Sequence, residues 1–176
     1  MVTTSIRRLL GLVCGFALAC MAAAPVWAQD LPPVTHTATL SGPRFGVSVL
    51  PPNMVNELGL RGVEVRPSLT QFGWQWEKQY FTRYSGMTVV NEWAFLLGGL
   101  EQSLALPSVS WVIGVRTHGG AEFGLGPNAS PAGIALVLAA GYTFRTGAFN
   151  VPVNVAVVPS HLGSRVSILT GFNLRR

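Results

Sequence analysis

The chain has 176 residues, of which 49% are hydrophobic and 11% are charged, and its formal net charge at pH 7 is +5. Because charged residues make up about 25% of an ordinary soluble domain, this composition is unusual for a protein whose whole surface faces water. The basic residues are dispersed, which excludes the clustered patch that nucleic-acid binding requires, so no nucleic-acid partner is expected.

Residues 1–28 have the features of a secretory signal peptide. Two arginines form a basic start, residues 9–24 are a nearly unbroken apolar run, and Ala28 ends a motif suited to signal peptidase. We expect cleavage after Ala28, which makes Gln29 the first residue of the mature chain. A transmembrane anchor is the alternative, although the apolar run is of marginal length for one.

The mature chain contains no cysteine, because Cys14 and Cys20 both fall in the signal segment. Disulfides and thiolate chemistry are therefore excluded from the exported protein. Residues 29–43 are polar and contain proline, so we interpret them as an N-terminal linker together with the start of the first strand. Residues 44–176 then form a single domain, which fits the remaining length.

Strand-like segments alternate with turn signals along this domain. Most of them approach the roughly 9–11 residues that a tilted strand needs to cross a bilayer. The eight predicted strands are residues 44–50, 68–82, 88–100, 108–117, 121–128, 134–144, 149–158 and 165–174.

One short helix is predicted at residues 54–58, with Asn53 as its N-cap and Gly59 as its end, and it is too short to form a core. The connections between strands alternate in character. Residues 83–87, 118–120 and 145–148 form short turns, whereas residues 51–67, 101–107, 127–131 and 159–163 are proline-rich. Outer-membrane barrels show this asymmetry, with short periplasmic turns and longer outer loops, and an even strand number puts both termini on the periplasmic side.

The stretch QFGWQWE, residues 71–77, alternates strictly between aromatic and polar or small residues, as a strand with two different faces does. The other strands follow the same pattern, and their second face is rich in glycine, serine and asparagine. The interior of an eight-stranded barrel is only just wide enough for side chains, so we attribute these small residues to crowding in a lumen. The aliphatic and aromatic face is then the lipid face. Its predicted members are Phe72, Trp74, Trp76, Trp111, Phe123, Val153 and Phe172.

Six charged residues fall on the predicted lumen face. They would have to pair with one another, since an isolated charge in a dry lumen costs several kcal/mol or more. Arg116 and Glu122 lie on strands joined by a short hairpin and are expected to pair. The predicted polar network of the lumen consists of Arg44, Glu77, Glu92, Arg116, Glu122 and Arg165.

These patterns predict an all-β fold, an eight-stranded antiparallel up-and-down transmembrane β-barrel preceded by a signal peptide. A soluble exported barrel or sandwich, with the same aliphatic residues in an ordinary core, is the alternative.

The domain resembles the small bacterial outer-membrane β-barrels of OmpA/OmpX-like architecture over residues 44–174. The last strand, SRVSILTGFNL, looks like the C-terminal signal that barrel-assembly machinery recognises, although that signal usually ends in an aromatic residue and this chain continues past Phe172. The segments QFGWQWE, EFGLGPN, AGYTF and NVAVVPS also look like parts of exported bacterial barrel domains. The resemblance implies the fold, an outer-membrane location, membrane lipid and the assembly machinery as partners, and no catalytic residues.

Few residues suggest chemistry. The three histidines are isolated, so neither a metal site nor a cofactor is expected. Ser160 and His161 lie at a predicted outer rim near Ser164, but adjacent residues of an extended chain face apart and make a poor nucleophile–base pair. We therefore expect a structural or surface-interaction barrel without an open pore and without enzyme activity, whose outer-loop partner the sequence does not identify. The alternatives are a soluble lipocalin-like barrel for a small apolar ligand and a lipid-modifying outer-membrane enzyme.

Overall fold

The computed structural model describes residues 34–82, 86–146 and 149–175, without the side chains of residues 35, 82, 145, 146, 174 and 175. The predicted signal peptide and the start of the mature chain at Gln29 lie outside the described residues. None of the helices within the described ranges is both long enough and apolar enough to cross a membrane.

The structure is a closed antiparallel barrel in which each strand pairs with the next one along the chain. β1 pairs with β2 on one side and with β8 on the other, which closes the wall, and β9 continues β8 along β1 after a short break. The eight-stranded up-and-down barrel that the sequence predicts is thereby confirmed. The strands are β1 (Val34–Val49), β2 (Ser68–Thr82), β3 (Met87–Gly98), β4 (Leu106–Thr117), β5 (Ala121–Ser130), β6 (Gly133–Thr146), β7 (Phe149–Val158), β8 (Arg165–Gly171) and β9 (Leu174–Arg175).

β1 and β5 each contain a proline and run further than their sequences suggest. β1 begins at Val34 instead of residue 44, and β5 continues through Pro127 to Ser130. Pro43 lies opposite the break between β8 and β9, and Pro127 lies opposite an interruption in the β4–β5 ladder. Since proline has no N–H to donate, it is tolerated in a strand where a neighbouring ladder is interrupted.

The two ends of the barrel differ. One end, called the turn end here, holds the turn at residues 118–120 and the start of β1, and the end of the described chain pairs with β1 at Leu40. The opposite end, called the loop end, holds residues 50–67, 99–105, 131–132 and 159–164. The β5–β6 connection is shorter than the predicted loop 127–131, because β5 is longer than expected.

The loop end is covered by helix α1 (Pro52–Leu60). The helix begins at Pro52, after Pro51 as N-cap, so the prediction of Asn53 as N-cap is wrong: proline is favoured in the first turn, where no N–H is needed. Gly59 lies inside the helix and does not end it. The helix is also packed more closely than its predicted length suggests, since two of its residues are buried. The apolar cap cluster beneath the helix consists of Leu50, Met54, Leu58, Val65 and Leu69.

Candidate functional site: a charged lumen inside an apolar wall

The outer wall of the barrel is apolar on every strand. All seven residues predicted to face lipid point away from the lumen, and each is between 37% and 59% exposed. A soluble monomer rarely exposes contiguous apolar patches larger than a few hundred Å², whereas here the exposed apolar surface continues around the barrel. One exposed example from each of β1 to β8 is Phe45, Phe72, Phe95, Trp111, Phe123, Leu138, Val155 and Ile168.

Three tryptophans are adjacent in register across β2, β3 and β4. Trp76 pairs with Trp93, and Trp93 pairs with Trp111. The rings of Trp93 and Trp111 stack with centroids 5.9 Å apart, and Trp111 Nε1 donates to Asn91 Oδ1 at 2.7 Å. Indole rings with a satisfied N–H on an apolar face suit the region where membrane meets water.

Arg116 is the centre of a charged cluster inside the lumen. Its Nη1 contacts Glu77 Oε1 at 2.5 Å and its Nε contacts Glu122 Oε1 at 2.6 Å, while Nη2 lies 3.9 Å from Glu92 Oε1. Arg116, Glu77 and Glu122 are buried. Two hydrogen-bonded ion pairs on one guanidinium are the arrangement in which charge can be held away from water, because each carboxylate receives a charged donor.

Arg44 joins this cluster through amide side chains. Its Nε donates to Gln75 Oε1 at 2.9 Å and its Nη2 donates to Asn173 Oδ1 at 2.6 Å. Asn173 Nδ2 in turn donates to Glu77 Oε2 at 3.2 Å. The connection from Arg44 to a carboxylate therefore passes through Asn173, a residue that the sequence analysis did not select.

Two further side chains complete the hydrogen bonding of the carboxylates. Gln79 Nε2 donates to Glu77 Oε1 at 2.5 Å, and the Thr143 hydroxyl donates to Glu122 Oε1. Both lie on the lumen face of their strands, so the alternation of the sequence was sufficient to place them inward. Their partners depend on the register between strands, and no local pattern in the sequence gives that register.

Arg165 was predicted to join the same network, but the structure places it elsewhere. It is the first residue of β8, at the loop end, whereas Arg116 and Glu122 flank the β4–β5 turn at the opposite end. Its Nη2 donates to Asn128 Oδ1 at 2.7 Å. Among the residues that the structure describes, no carboxylate lies within ion-pair distance of Arg165.

The lumen glycines have two different causes, only one of which is crowding inside the barrel. A Cβ on Gly141 would lie 1.9 Å from Asn154 Oδ1, a side-chain atom in the lumen. A Cβ on Gly73 would instead lie 1.9 Å from the carbonyl oxygen of Phe95, in the neighbouring strand. At positions such as Gly73 the glycine is needed because another backbone approaches closely, so the attribution of all these glycines to lumen crowding was incomplete.

Two small cavities lie inside the barrel. A cavity of about 30 Å³ lies beneath the cap cluster, and one of about 20 Å³ lies beside Glu92 and Glu122. Each has room for about one or two waters. This agrees with the general rule that eight strands enclose packed side chains and leave no aqueous channel.

The rim residues considered for catalysis are engaged in a turn. The Ser160 hydroxyl donates to the carbonyl oxygen of Gly163 at 2.8 Å and accepts from the backbone N–H of Leu162 at 3.2 Å. The hydroxyl therefore stabilises the turn that connects β7 and β8. Over the described ranges, no group of three or more His, Cys, Asp or Glu residues is placed to hold a metal ion.

No protein-family model matches the chain, and no curated protein sequence matches it. Solved structures do match. The crystal structure of Ail, the attachment invasion locus protein of Yersinia pestis, is similar with a TM-score of 0.54 and 14% identity, over 80% of this chain and 98% of Ail. The structure of Ail in complex with the heparin analogue sucrose octasulfate is similar with a TM-score of 0.53 and the same identity and coverage. At this identity the likeness concerns the fold, a closed barrel of eight antiparallel strands.

Proposed function

We propose that this protein is a small integral outer-membrane β-barrel of a Gram-negative bacterium, without an open pore, whose loop end has a structural or surface-interaction role. The inverted polarity of the barrel supports this most directly: apolar side chains are exposed on the outside while the Arg116 cluster is buried inside. In water the exposed apolar wall is unfavourable, since full burial of one Val, Leu, Ile or Phe side chain is worth about 1.5–3 kcal/mol. In a bilayer, lipid covers the outer wall.

A soluble barrel that carries a small apolar ligand fits the structure less well. Such a protein needs an apolar interior with room for its ligand, as pockets for drug-sized molecules typically enclose about 300–1,000 Å³. The lumen here is charged, and the cavities at its loop end and beside Glu92 measure about 30 and 20 Å³. A lipid-modifying activity centred on Ser160 and His161 is also disfavoured, because the serine hydroxyl is engaged with turn backbone.

The loop end supports an interaction role through an ordered cap with exposed apolar residues. Leu60, at the end of α1, is 86% exposed, and Leu100 and Ile134 are also exposed at this end of the barrel. Exposed apolar residues on an ordered surface are typical of contact sites, and here they lie on the side that would face outward from the cell.

The polyanion bound in the similar Ail structure is not proposed as a ligand of this chain. The connections at the loop end carry two exposed basic residues, Arg61 and Arg66, and Arg61 is paired with Glu57. The same connections also carry Glu64 and Glu101, so the acidic residues outnumber the basic ones. A polyanion would find no basic patch there.

Cell fractionation tests the proposed location. The mature protein should be recovered in the outer-membrane fraction, and it should migrate differently on a gel before and after heating, as folded membrane barrels do. The assembly machinery is a proposed partner in reaching that location. Recovery of folded protein from the soluble periplasmic fraction would contradict the proposal.

A cysteine-labelling experiment tests which end faces outward. The mature chain contains no cysteine if the signal peptide is removed, so one introduced thiol can be labelled selectively. Leu60→Cys should react with a membrane-impermeant maleimide on intact cells. His118→Cys, in the turn at the other end, is the matched control and should react only after the outer membrane is permeabilised. The reverse pattern would show that the orientation is wrong.

A further inference from the structure

Arg165 is a buried cation with an incomplete set of partners. The residue is 9% exposed, and its Nη2 donates to Asn128 Oδ1 at 2.7 Å. Its Nε is buried and has no hydrogen-bond partner. A buried N–H without an acceptor costs roughly 1–3 kcal/mol, and more when it belongs to a charged group.

The charge of Arg165 is also unbalanced. The three lumen carboxylates, Glu77, Glu92 and Glu122, surround Arg116 in the turn-end half of the barrel. Within the described part of the chain, Arg165 has no carboxylate at ion-pair distance. Asn128 satisfies one N–H but is neutral, so it leaves the positive charge uncompensated.

Arg165 is one of the residues that line the cavity of about 30 Å³ beneath the cap cluster. Ser108 lines the same cavity, and because its Oγ accepts from Asn128 Nδ2 at 2.8 Å, its own hydrogen is available to another acceptor. Gln71 is a third polar lining residue, and its Oε1 is buried without a partner. Rotation of this amide by half a turn presents Nε2 at the same place with no change of shape. Three donors can thus converge on one small space.

We propose that this cavity binds a small monovalent inorganic anion of the size of chloride. A water bridging Arg165 Nε and Gln71 Oε1 would satisfy the two unpartnered atoms, but it would leave the charge of the guanidinium uncompensated. An anion satisfies the donors and the charge together. The cavity has room for about one or two water-sized particles, which excludes phosphate and fatty carboxylates while α1 is in place.

The position of the site gives the anion a structural consequence. The cavity walls include Met54 and Leu58 of α1 as well as Arg165 of β8. An anion that neutralises the guanidinium beneath the cap cluster removes the driving force for hydrating that charge. Water is then less favoured beneath α1. We therefore expect the closed loop end to be more stable with the anion bound.

Thermal unfolding of the refolded barrel in detergent tests the proposal. When sodium gluconate, whose anion is too large, is replaced by sodium chloride at constant ionic strength, the midpoint should rise with the logarithm of the chloride concentration above Kd. A rise of about 5 °C is expected when the chloride concentration is roughly ten times Kd. Arg165→Met should abolish the rise, whereas Arg66→Met, the same change at an exposed site of the loop end, should retain it. An equal rise in all three proteins would overturn the proposal.

A bromide soak of wild-type crystals provides a readout that does not depend on any variant. The expected result is an anomalous peak within contact distance of Arg165 Nε and Ser108 Oγ. Density for water alone at that position, with no anomalous signal, would show that the two unpartnered atoms are bridged by solvent and would overturn the proposal.

Discussion

The two faces of each strand are built in different ways, and β7 shows the difference in adjacent residues. Val153 points outward among other exposed aliphatic side chains, while Asn154 points inward over Gly141. On the outer face a residue needs only to be apolar, because lipid adapts to its shape. In the lumen a residue must match particular neighbours, as Arg116 matches Glu77 and Glu122. Composition therefore specifies the outer wall, and register specifies the lumen.

The largest effect that would follow from this difference is expected at Arg116. Arg116→Leu removes the charged donors of Glu77 and Glu122 and leaves both carboxylates buried. We expect the free energy of unfolding to fall by about 3–5 kcal/mol, the usual cost of removing one partner from a buried ion pair. Denaturant unfolding followed by tryptophan fluorescence measures the loss.

Two further variants show whether the loss comes from stranded charge. Arg116→Leu combined with Glu122→Gln should recover only part of the stability, because Glu77 still lacks its partner. Arg61→Leu breaks an exposed pair with Glu57 and should cost no more than about 1 kcal/mol. If Arg116→Leu is as mild as Arg61→Leu, the lumen is hydrated and the contrast between the faces is lost.

A pair of substitutions at neighbouring positions of β7 compares the faces directly. Val153→Arg places a charge on the outer wall in mid-strand and should cost roughly 2–4 kcal/mol in a bilayer. Asn154→Ser should be close to neutral, because Asn154 Oδ1 has no hydrogen-bond partner to lose. Unfolding in lipid vesicles measures both changes, and similar costs at the two positions would contradict the face assignment.

A smaller effect is expected at Glu101, in the connection between β3 and β4 outside the barrel wall. Hydrogen bonds from the Thr70 hydroxyl and backbone, with a further one from Gln102, lower the pKa of this carboxyl to about 2. Because the folded pKa lies below the unfolded one, the stabilisation is present above pH 4.5 and is lost as the pH falls towards 2. Glu101→Gln should be slightly less stable than wild type at pH 7, and the two proteins should converge near pH 2. A difference that persists at pH 2 would show that the carboxylate charge is not responsible.

The strands and their faces could be predicted because alternation is a local property. Each segment shows which of its residues share a face, and a short hairpin is enough to bring Arg116 and Glu122 together. Arg165 was assigned to the wrong neighbours because its depth in the lumen depends on how all eight strands are staggered. The same dependence explains why Asn128 and Asn173 were missed as partners.

The start of β1 and the cap could not be predicted for other reasons. In the sequence, Pro43 indicates that a strand cannot pass through it. The strand does pass through it because the neighbouring strand is interrupted opposite Pro43, and the sequence does not show this interruption. Helix α1 is too short to be stable alone, and its burial depends on Leu50, which directly follows β1, and on Leu69 of β2. In both cases the deciding contacts include residues of another strand.

Spin-label accessibility at residue 153, measured on the protein reconstituted in lipid, tests most directly whether the outer wall faces a membrane. A nitroxide at this position should be accessible to oxygen and shielded from a water-soluble nickel complex, because oxygen concentrates in the bilayer. A label at Leu60, which is exposed at the loop end, should show the opposite preference and serves as the control. A label at residue 153 that is closed to both reagents is buried in protein, and one that is open to the nickel complex faces water. Either result would contradict a membrane-spanning barrel.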